Sequence, residues 1–213
     1  MIITAHGGAL GTGRNSQKYF DTIANYKVDA IEVDIMKRGE VLYLAHILPP
    51  ISLKRAIKLD YVFEFCKTHN FKVNCDVKQK FLVKPVLALA ERMGATDFVY
   101  FTGTVLPEDV VNLTAGTALL NESFFNKKIP LRIDTLGEIK KYIDSFNNPR
   151  ILGINIKYQY ATNEFISKAK EVGLGLSLYT VDDVVALERI IKNEDKPYNV
   201  TTNLPDRAID FLK

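Results

Sequence analysis

The sequence is poor in the features that mark most specialised classes of chain. It holds two cysteines, Cys66 and Cys75, among 213 residues. That is too few for a disulfide framework and fits a reducing compartment, with each thiol acting as a small core side chain. Charges break every hydrophobic stretch, so no apolar run is long enough to span a bilayer. The start, Met1-Ile2-Ile3-Thr4-Ala5-His6, lacks the basic head and apolar centre of an export signal, and a cytoplasmic location is expected. Net charge is nearly absent as well: 28 Lys and Arg against 25 Asp and Glu give +3. So even a balance argues against nucleic acid or an acidic membrane as partner. Proline-rich, serine-rich and single-charge linkers are also lacking, which favours a single domain over residues 1–213.

What is present has the composition of an ordinary globular protein, 47% hydrophobic and 25% charged, arranged with regularity. Short apolar runs at 2–6, 30–35, 71–77, 98–101, 117–120, 152–156, 174–179 and 198–202 read as strands. Between them, helical periodicity predicts helices near 15–26, 54–69, 80–93, 107–113, 135–146, 162–172, 181–193 and 205–212. Eight such pairs at about 27 residues each predict an α/β chain folded as a (β/α)8 TIM barrel of parallel strands. An open doubly wound sheet is the runner-up. One irregularity breaks the repeat: residues 37–40 read as a turn and 41–46 as a short extra hairpin strand after the second strand. Within the helices, Thr135 and Glu138 have the spacing of a capping box.

Two strands carry charge where a core strand should be apolar. In Ile31-Glu32-Val33-Asp34-Ile35, alternation puts the apolar residues outward and Glu32 and Asp34 on the inner face. In Val73-Asn74-Cys75-Asp76-Val77-Lys78 the same rule turns Asn74, Asp76 and Lys78 inward. A single strand with one charge pair would be read as a structural ion pair. Here three carboxylates face one lysine, leaving two uncompensated negative charges that burial makes costly. One divalent cation cancels them, and three oxygen donors suit Mg2+ or Ca2+ better than zinc.

His6 ends the first strand and His46 the extra strand, where a barrel's active face lies. Beside a candidate metal site, such a pair can act as general base and general acid. His69, near a helix end, is explained as a cation close to the helix C-terminus. The loop from Gly7 to Gly13 has neither a dinucleotide nor a Walker pattern, and reads as a flexible turn.

Taken in order, these motifs resemble the glycerophosphodiester phosphodiesterase family, part of the phosphatidylinositol-phospholipase-C-like barrel superfamily. The resemblance runs through His6-Gly7-Gly8, Arg14-Asn15-Ser16, Glu32-Val33-Asp34, His46, Asp76-Val77-Lys78, Tyr179-Thr180-Val181 and Thr202-Asn203-Leu204-Pro205. It implies metal-dependent hydrolysis of glycerophosphodiesters to an alcohol and glycerol phosphate, as in lipid and glycerol metabolism. By that likeness Glu32, Asp34 and Asp76 hold the cation, His6 and His46 exchange protons, and Lys78, Arg14 and Tyr179 bind substrate. Gly7 stands where the family has a phosphate-binding arginine, and Arg14 of the same loop is the expected substitute. Ile47 replaces an aspartate, Asp76 is shorter than the usual glutamate, and Asn203 replaces an aspartate. The family's insertion after the second histidine is nearly absent at Leu48-Pro49-Pro50, which would leave an open substrate mouth. Tyr179 and Phe101 are candidates for the alcohol-binding side. A sphingomyelinase D-like or lysophospholipase D-like enzyme and a non-catalytic phosphate-ester-binding barrel are the alternatives.

Overall fold

The computed structural model describes residues 1–47, 56–125 and 129–213. Its strands are β1 (Ile2–Ala5), β2 (Ala30–Arg38), β3 (Val41–Leu44), β4 (Lys72–Val77) and β5 (Val99–Gly103) in the first half of the chain. They continue as β6 (Thr117–Asn121), β7 (Ile151–Lys157), β8 (Gly175–Tyr179) and β9 (Asn199–Thr202). Apart from β3 all are parallel. β1 pairs with β2 on one side and with β9 on the other, so eight strands close into a barrel. The expected barrel is the observed one, and the open sheet is excluded by the bonds from Ile2–Asn199 to Ala5–Thr202.

Helices among the described residues are α1 (Gln17–Ile23), α2 (Leu59–His69), α3 (Val83–Arg92) and α4 (Pro107–Val111). They are followed by α5 (Leu136–Asp144), α6 (Asn163–Glu171), α7 (Val184–Lys192) and α8 (Pro205–Phe211). No described helix is long and apolar enough to cross a membrane. Positions 54 and 55 of the expected second helix, and Leu48-Pro49-Pro50, lie outside the described residues.

Burial follows the two-residue strand period. Ile31, Val33, Ile35, Val73, Cys75, Val77 and Phe101 face outward into one large apolar layer beneath the helices. Both cysteines lie there with free thiols, and burial pushes the thiol pKa of each up, out of the reactive range. Phe101 therefore does not line the mouth: it is fully buried, and the inward residues of β5 are Tyr100 and Thr102. A second, small cluster of Ala30, Tyr100 and Leu119, packed by Ile2, Leu152 and Tyr198, fills the interior near the strands' amino ends.

Two local readings need correction. The expected turn over 37–40 is shorter, because Lys37 and Arg38 pair with Leu42 and Val41. Only Gly39 and Glu40 remain, with Gly39 at φ +58, as a tight two-residue hairpin demands. Strand β3 stops at Leu44, and Ala45 N–H instead donates to the Asp34 carbonyl, 3.0 Å away. Thr135 makes no capping box with α5. Its hydroxyl accepts from Arg132 N–H at 3.1 Å and bonds back to the carbonyls of Pro130 and Arg132, so it closes the preceding short turn.

Candidate active site

Register brings the charged side chains to one level. Glu32 lies beside Asn74, and Asp34 beside Asp76, across the β2–β4 pairing near the carboxyl ends of both strands. Lys78, just past β4, bridges the carboxylates, with Nζ 2.8 Å from Asp34 Oδ1 and 2.6 Å from Asp76 Oδ2. Glu32, Asp34 and Asp76 each offer a carboxylate oxygen, all within 4.8 Å of one another.

Asp34 has the most partners of the three. Asn15 Nδ2 donates to its Oδ2 at 2.8 Å, while Asn15 Oδ1 accepts the Asp34 backbone N–H at 3.1 Å. His46 Nδ1 lies 3.1 Å from Oδ1, and Arg14 Nε stands 4.0 Å from Oδ2. Burial alone would raise this carboxyl's pKa. Lys78 and the donors His46 and Asn15 outweigh it, holding Asp34 below the ordinary carboxylate range.

Glu32 is in the opposite condition. Burial, then the charges of Asp76 and Asp34, push its pKa well up, and Lys78 only partly opposes them. Its visible partner is Asn74, whose Nδ2 is 3.4 Å from Oε2 and whose Oδ1 accepts from Thr102 Oγ1 at 2.9 Å. Asp76 is also raised, because burial exceeds what one lysine returns. Lys78 itself is raised, since Asp76 and Asp34 outweigh its own desolvation. The lysine thus stays charged and Asp34 is compensated, while Glu32 and Asp76 are left short of positive charge.

That shortage has a visible address. Asp76 Oδ1 is buried without a hydrogen-bond partner among the described residues. Space for it exists because residue 103 is glycine: with φ +84, an added Cβ would sit 2.1 Å from that oxygen. A bare carboxylate oxygen in a cradle cleared by glycine, among three acceptor-only groups, fits a hard divalent cation.

Both histidines reach this cluster. His6 follows β1, with its backbone N–H on the Thr202 carbonyl at 2.9 Å. Its Nδ1 lies 2.8 Å from Asn203 Oδ1, and its Nε2 is turned toward Glu32, 3.6 Å from Oε1. His46 is delivered by the return of the β2–β3 hairpin over Asp34. Each ring commits Nδ1 to a hydrogen bond with the protein. The remaining expected residues lie at the rim. The Arg14 side chain is 44% exposed. Tyr179, half-buried at the end of β8, has its pKa raised to about 12 by burial and the charges of Glu122 and Asp76. His69 lies elsewhere, in the last turn of α2, with its ring 4.4 Å from Phe65 and 5.7 Å from Phe71.

Three contributors were not singled out from sequence: Asn15, Gly103 and Asp182, whose Oδ2 accepts from Asn203 Nδ2 at 2.7 Å. Asn15 lies in a motif quoted for the resemblance, its only signal, and Asp182 carried none; Asn203 was noted only as replacing an aspartate.

No family model matches the chain, and no curated protein matches it in sequence. Solved structures do match its fold. A glycerophosphodiester phosphodiesterase from Parabacteroides distasonis superposes with a TM-score of 0.77 at 14% identity, covering 99% of this chain and 96% of that one. One from Agrobacterium tumefaciens gives 0.73 at 16% identity, covering 100% and 99%. An Oleispira antarctica phosphodiesterase, solved with the product sn-glycerol-3-phosphate, gives 0.75 at 13% identity, covering 100% and 96%. The chain shares its whole barrel, end to end, with these phosphodiesterases.

Proposed function

We propose that this chain is a phosphoric diester hydrolase that cleaves glycerophosphodiesters to an alcohol and glycerol phosphate. The observation that supports it best is the co-location of two histidines, each with Nδ1 engaged, beside three inward carboxylates short of positive charge. The shared barrel adds weight, because the matched phosphodiesterases carry that activity in their names.

In this reading Glu32, Asp34 and Asp76 hold one Mg2+ or Ca2+, which when bound supplies Lewis acidity toward phosphoryl oxygens. The remaining work belongs to the chain. The Lys78 ammonium has two N–H donors on Asp34 and Asp76, and keeps a third for a phosphoryl oxygen. Arg14, at the rim of the same site, balances the charge of the bound diester with a bidentate contact. One histidine takes the proton of the attacking water or neighbouring substrate hydroxyl at Nε2. The other returns a proton from Nε2 to the leaving alcohol oxygen. Tyr179 borders the alcohol.

The test is hydrolysis of glycerophosphocholine and of a lysophospholipid, with added Mg2+ or Ca2+ and with chelator. The expected result is metal-dependent turnover of the first. His6→Ala and His46→Ala should each lower kcat by about 100-fold to 10,000-fold while leaving metal affinity nearly intact. Arg14→Ala should raise KM. Full activity in either histidine variant would end the acid–base assignment. Absence of metal-dependent hydrolysis of any diester would leave a phosphate-ester-binding barrel, and preference for the lysophospholipid would move the substrate class.

A further inference from the structure

A histidine at an active face needs more than position, because its two nitrogens exchange roles when the ring changes tautomer. For His6 that choice is settled by a chain of hydrogen bonds that runs to the surface. An ionised carboxylate can only accept. Asp182 Oδ2 lies 2.7 Å from the side-chain nitrogen of Asn203, and Asp182 Oδ1 lies 2.8 Å from the Asn203 backbone nitrogen. Both must be N–H donors, so the Asn203 amide has one permitted orientation, with Nδ2 toward Asp182. Its Oδ1 is then turned to His6 Nδ1 at 2.8 Å. An amide oxygen donates nothing, so Nδ1 must carry the hydrogen, and a neutral His6 presents its lone pair at Nε2.

The two loops that carry this chain are held in register. Val181 N–H donates to the Thr201 carbonyl at 2.9 Å, and Thr202 Oγ1 donates to the Val181 carbonyl at 2.7 Å. Leu204 N–H in turn bonds Thr202 Oγ1 at 2.9 Å. The connection after β8 is thereby locked to the end of β9, and Asp182 cannot drift from Asn203 without breaking those bonds.

We infer that Asp182 is a positioning residue: by fixing the Asn203 amide it sets the tautomer and orientation of His6. This rests on the reading of His6 as an acid–base group. Asp182 touches neither substrate nor the reacting atoms, and its effect passes through one neutral amide. The arrangement also carries its own reversal. If residue 182 were asparagine and residue 203 aspartate, every contact could be kept. The amide nitrogen at position 182 would donate to one carboxylate oxygen at position 203, and the other oxygen would accept from His6 Nδ1. The backbone N–H of residue 203 would still find the amide oxygen at position 182.

The experiment uses Asp182→Ala, Asn203→Asp and the double exchange D182N/N203D, each checked for thermal unfolding. Two readouts are taken: steady-state hydrolysis, and the ring 15N signals of His6 in histidine-labelled protein under mildly alkaline conditions. The His6 signals are assigned by their loss in His6→Gln. Wild type should show Nδ1–H. Asp182→Ala should show a growing Nε2–H population and a kcat lower by about ten- to a hundred-fold, with KM little changed. Asn203→Asp alone, which sets two carboxylates against each other, should lose activity similarly. The double exchange should restore the Nδ1–H signature and most of kcat. An unchanged His6 tautomer in Asp182→Ala would overturn the inference, as would a double exchange no better than its worse parent. If the wild-type chain hydrolyses no diester, the functional reading falls, and the tautomer signals still decide the relay.

Discussion

The barrel interior is filled differently on its two sides. From β6 through β9 the buried inward polar groups are neutral amides and hydroxyls, Asn155, Ser177, Asn199 and Thr201, with Asn121 beside them. They bond to one another, Asn155 to Asn121 at 2.9 Å and Asn199 to Ser177 at 2.8 Å, and onward to Thr4 and Tyr100. On β2 and β4 the inward polar groups are Glu32, Asp34 and Asp76, with Asn74 and one lysine beside them. Amides and hydroxyls donate and accept, so a ring of them can nearly satisfy itself; here one acceptor, Asn155 Oδ1, is left buried without a partner among the described residues. Carboxylates only accept, so a cluster of them requires protons or a cation. The two arcs have similar depth and different needs: each leaves one buried oxygen without a partner among the described residues, but only the second carries an excess of negative charge.

The sharpest way to break this contrast is to replace one residue in each arc. Asp34→Asn should weaken Mg2+ or Ca2+ binding, followed by calorimetry, on the order of a hundredfold or more. Asn155→Ala should leave metal affinity within about threefold. Equal losses would show that the arcs are not separate. Next in size is Gly103→Ala. The added Cβ would meet Asp76 Oδ1 and the Val77 carbonyl, and φ +84 is itself strained for alanine. A destabilisation of about 1–3 kcal/mol should accompany weakened metal binding; thermal melts with and without cation measure both.

A third prediction follows from Glu32, whose folded-state pKa is raised above the ordinary 4.5 by burial and by Asp76 and Asp34. The native state then keeps a proton that the unfolded chain has released. Its contribution is fully present below 4.5 and is lost as pH rises toward the raised value. Chelated protein should therefore lose stability with rising pH over that window, and Glu32→Gln should flatten the dependence. Cation should stabilise the protein more as pH rises, because it replaces the proton. If chelated wild type and Glu32→Gln show the same pH slope, the charged arc is not strained in the way described. The smallest expected effect lies in the neutral arc. Ser177→Ala removes one buried bond to Asn199 and should cost about 1 kcal/mol in a denaturant titration, with activity unchanged.

The charged arc was legible in the sequence because alternation is rigid: once Ile31, Val33 and Ile35 are placed outward, Glu32 and Asp34 have nowhere else to go. Phe101 was offered to the mouth as an aromatic without that rule, and it faces outward, Tyr100 and Thr102 being the inward pair. Asn15, Asp182 and the role of Asn203 were hidden for another reason. Amides and carboxylates are ordinary in loops, and what distinguishes these is the partner. Asn15 meets Asp34 across 19 positions, and His6 meets Asn203 across 197. No local pattern encodes a bond of that span. Thr135 shows the reverse error, in which a sound local motif was outbid by a competing turn.

The His6–Asn203 bond also divides the site by chain position. Glu32, Asp34, Asp76 and His46 all fall between positions 32 and 76, on the β2–β3 hairpin and the strand beside it. His6 meets its partner only across the seam between β1 and β9, where the two ends of the chain join. On the proposed function, the ion site draws on one stretch of the chain, whereas an oriented His6 requires both of its ends.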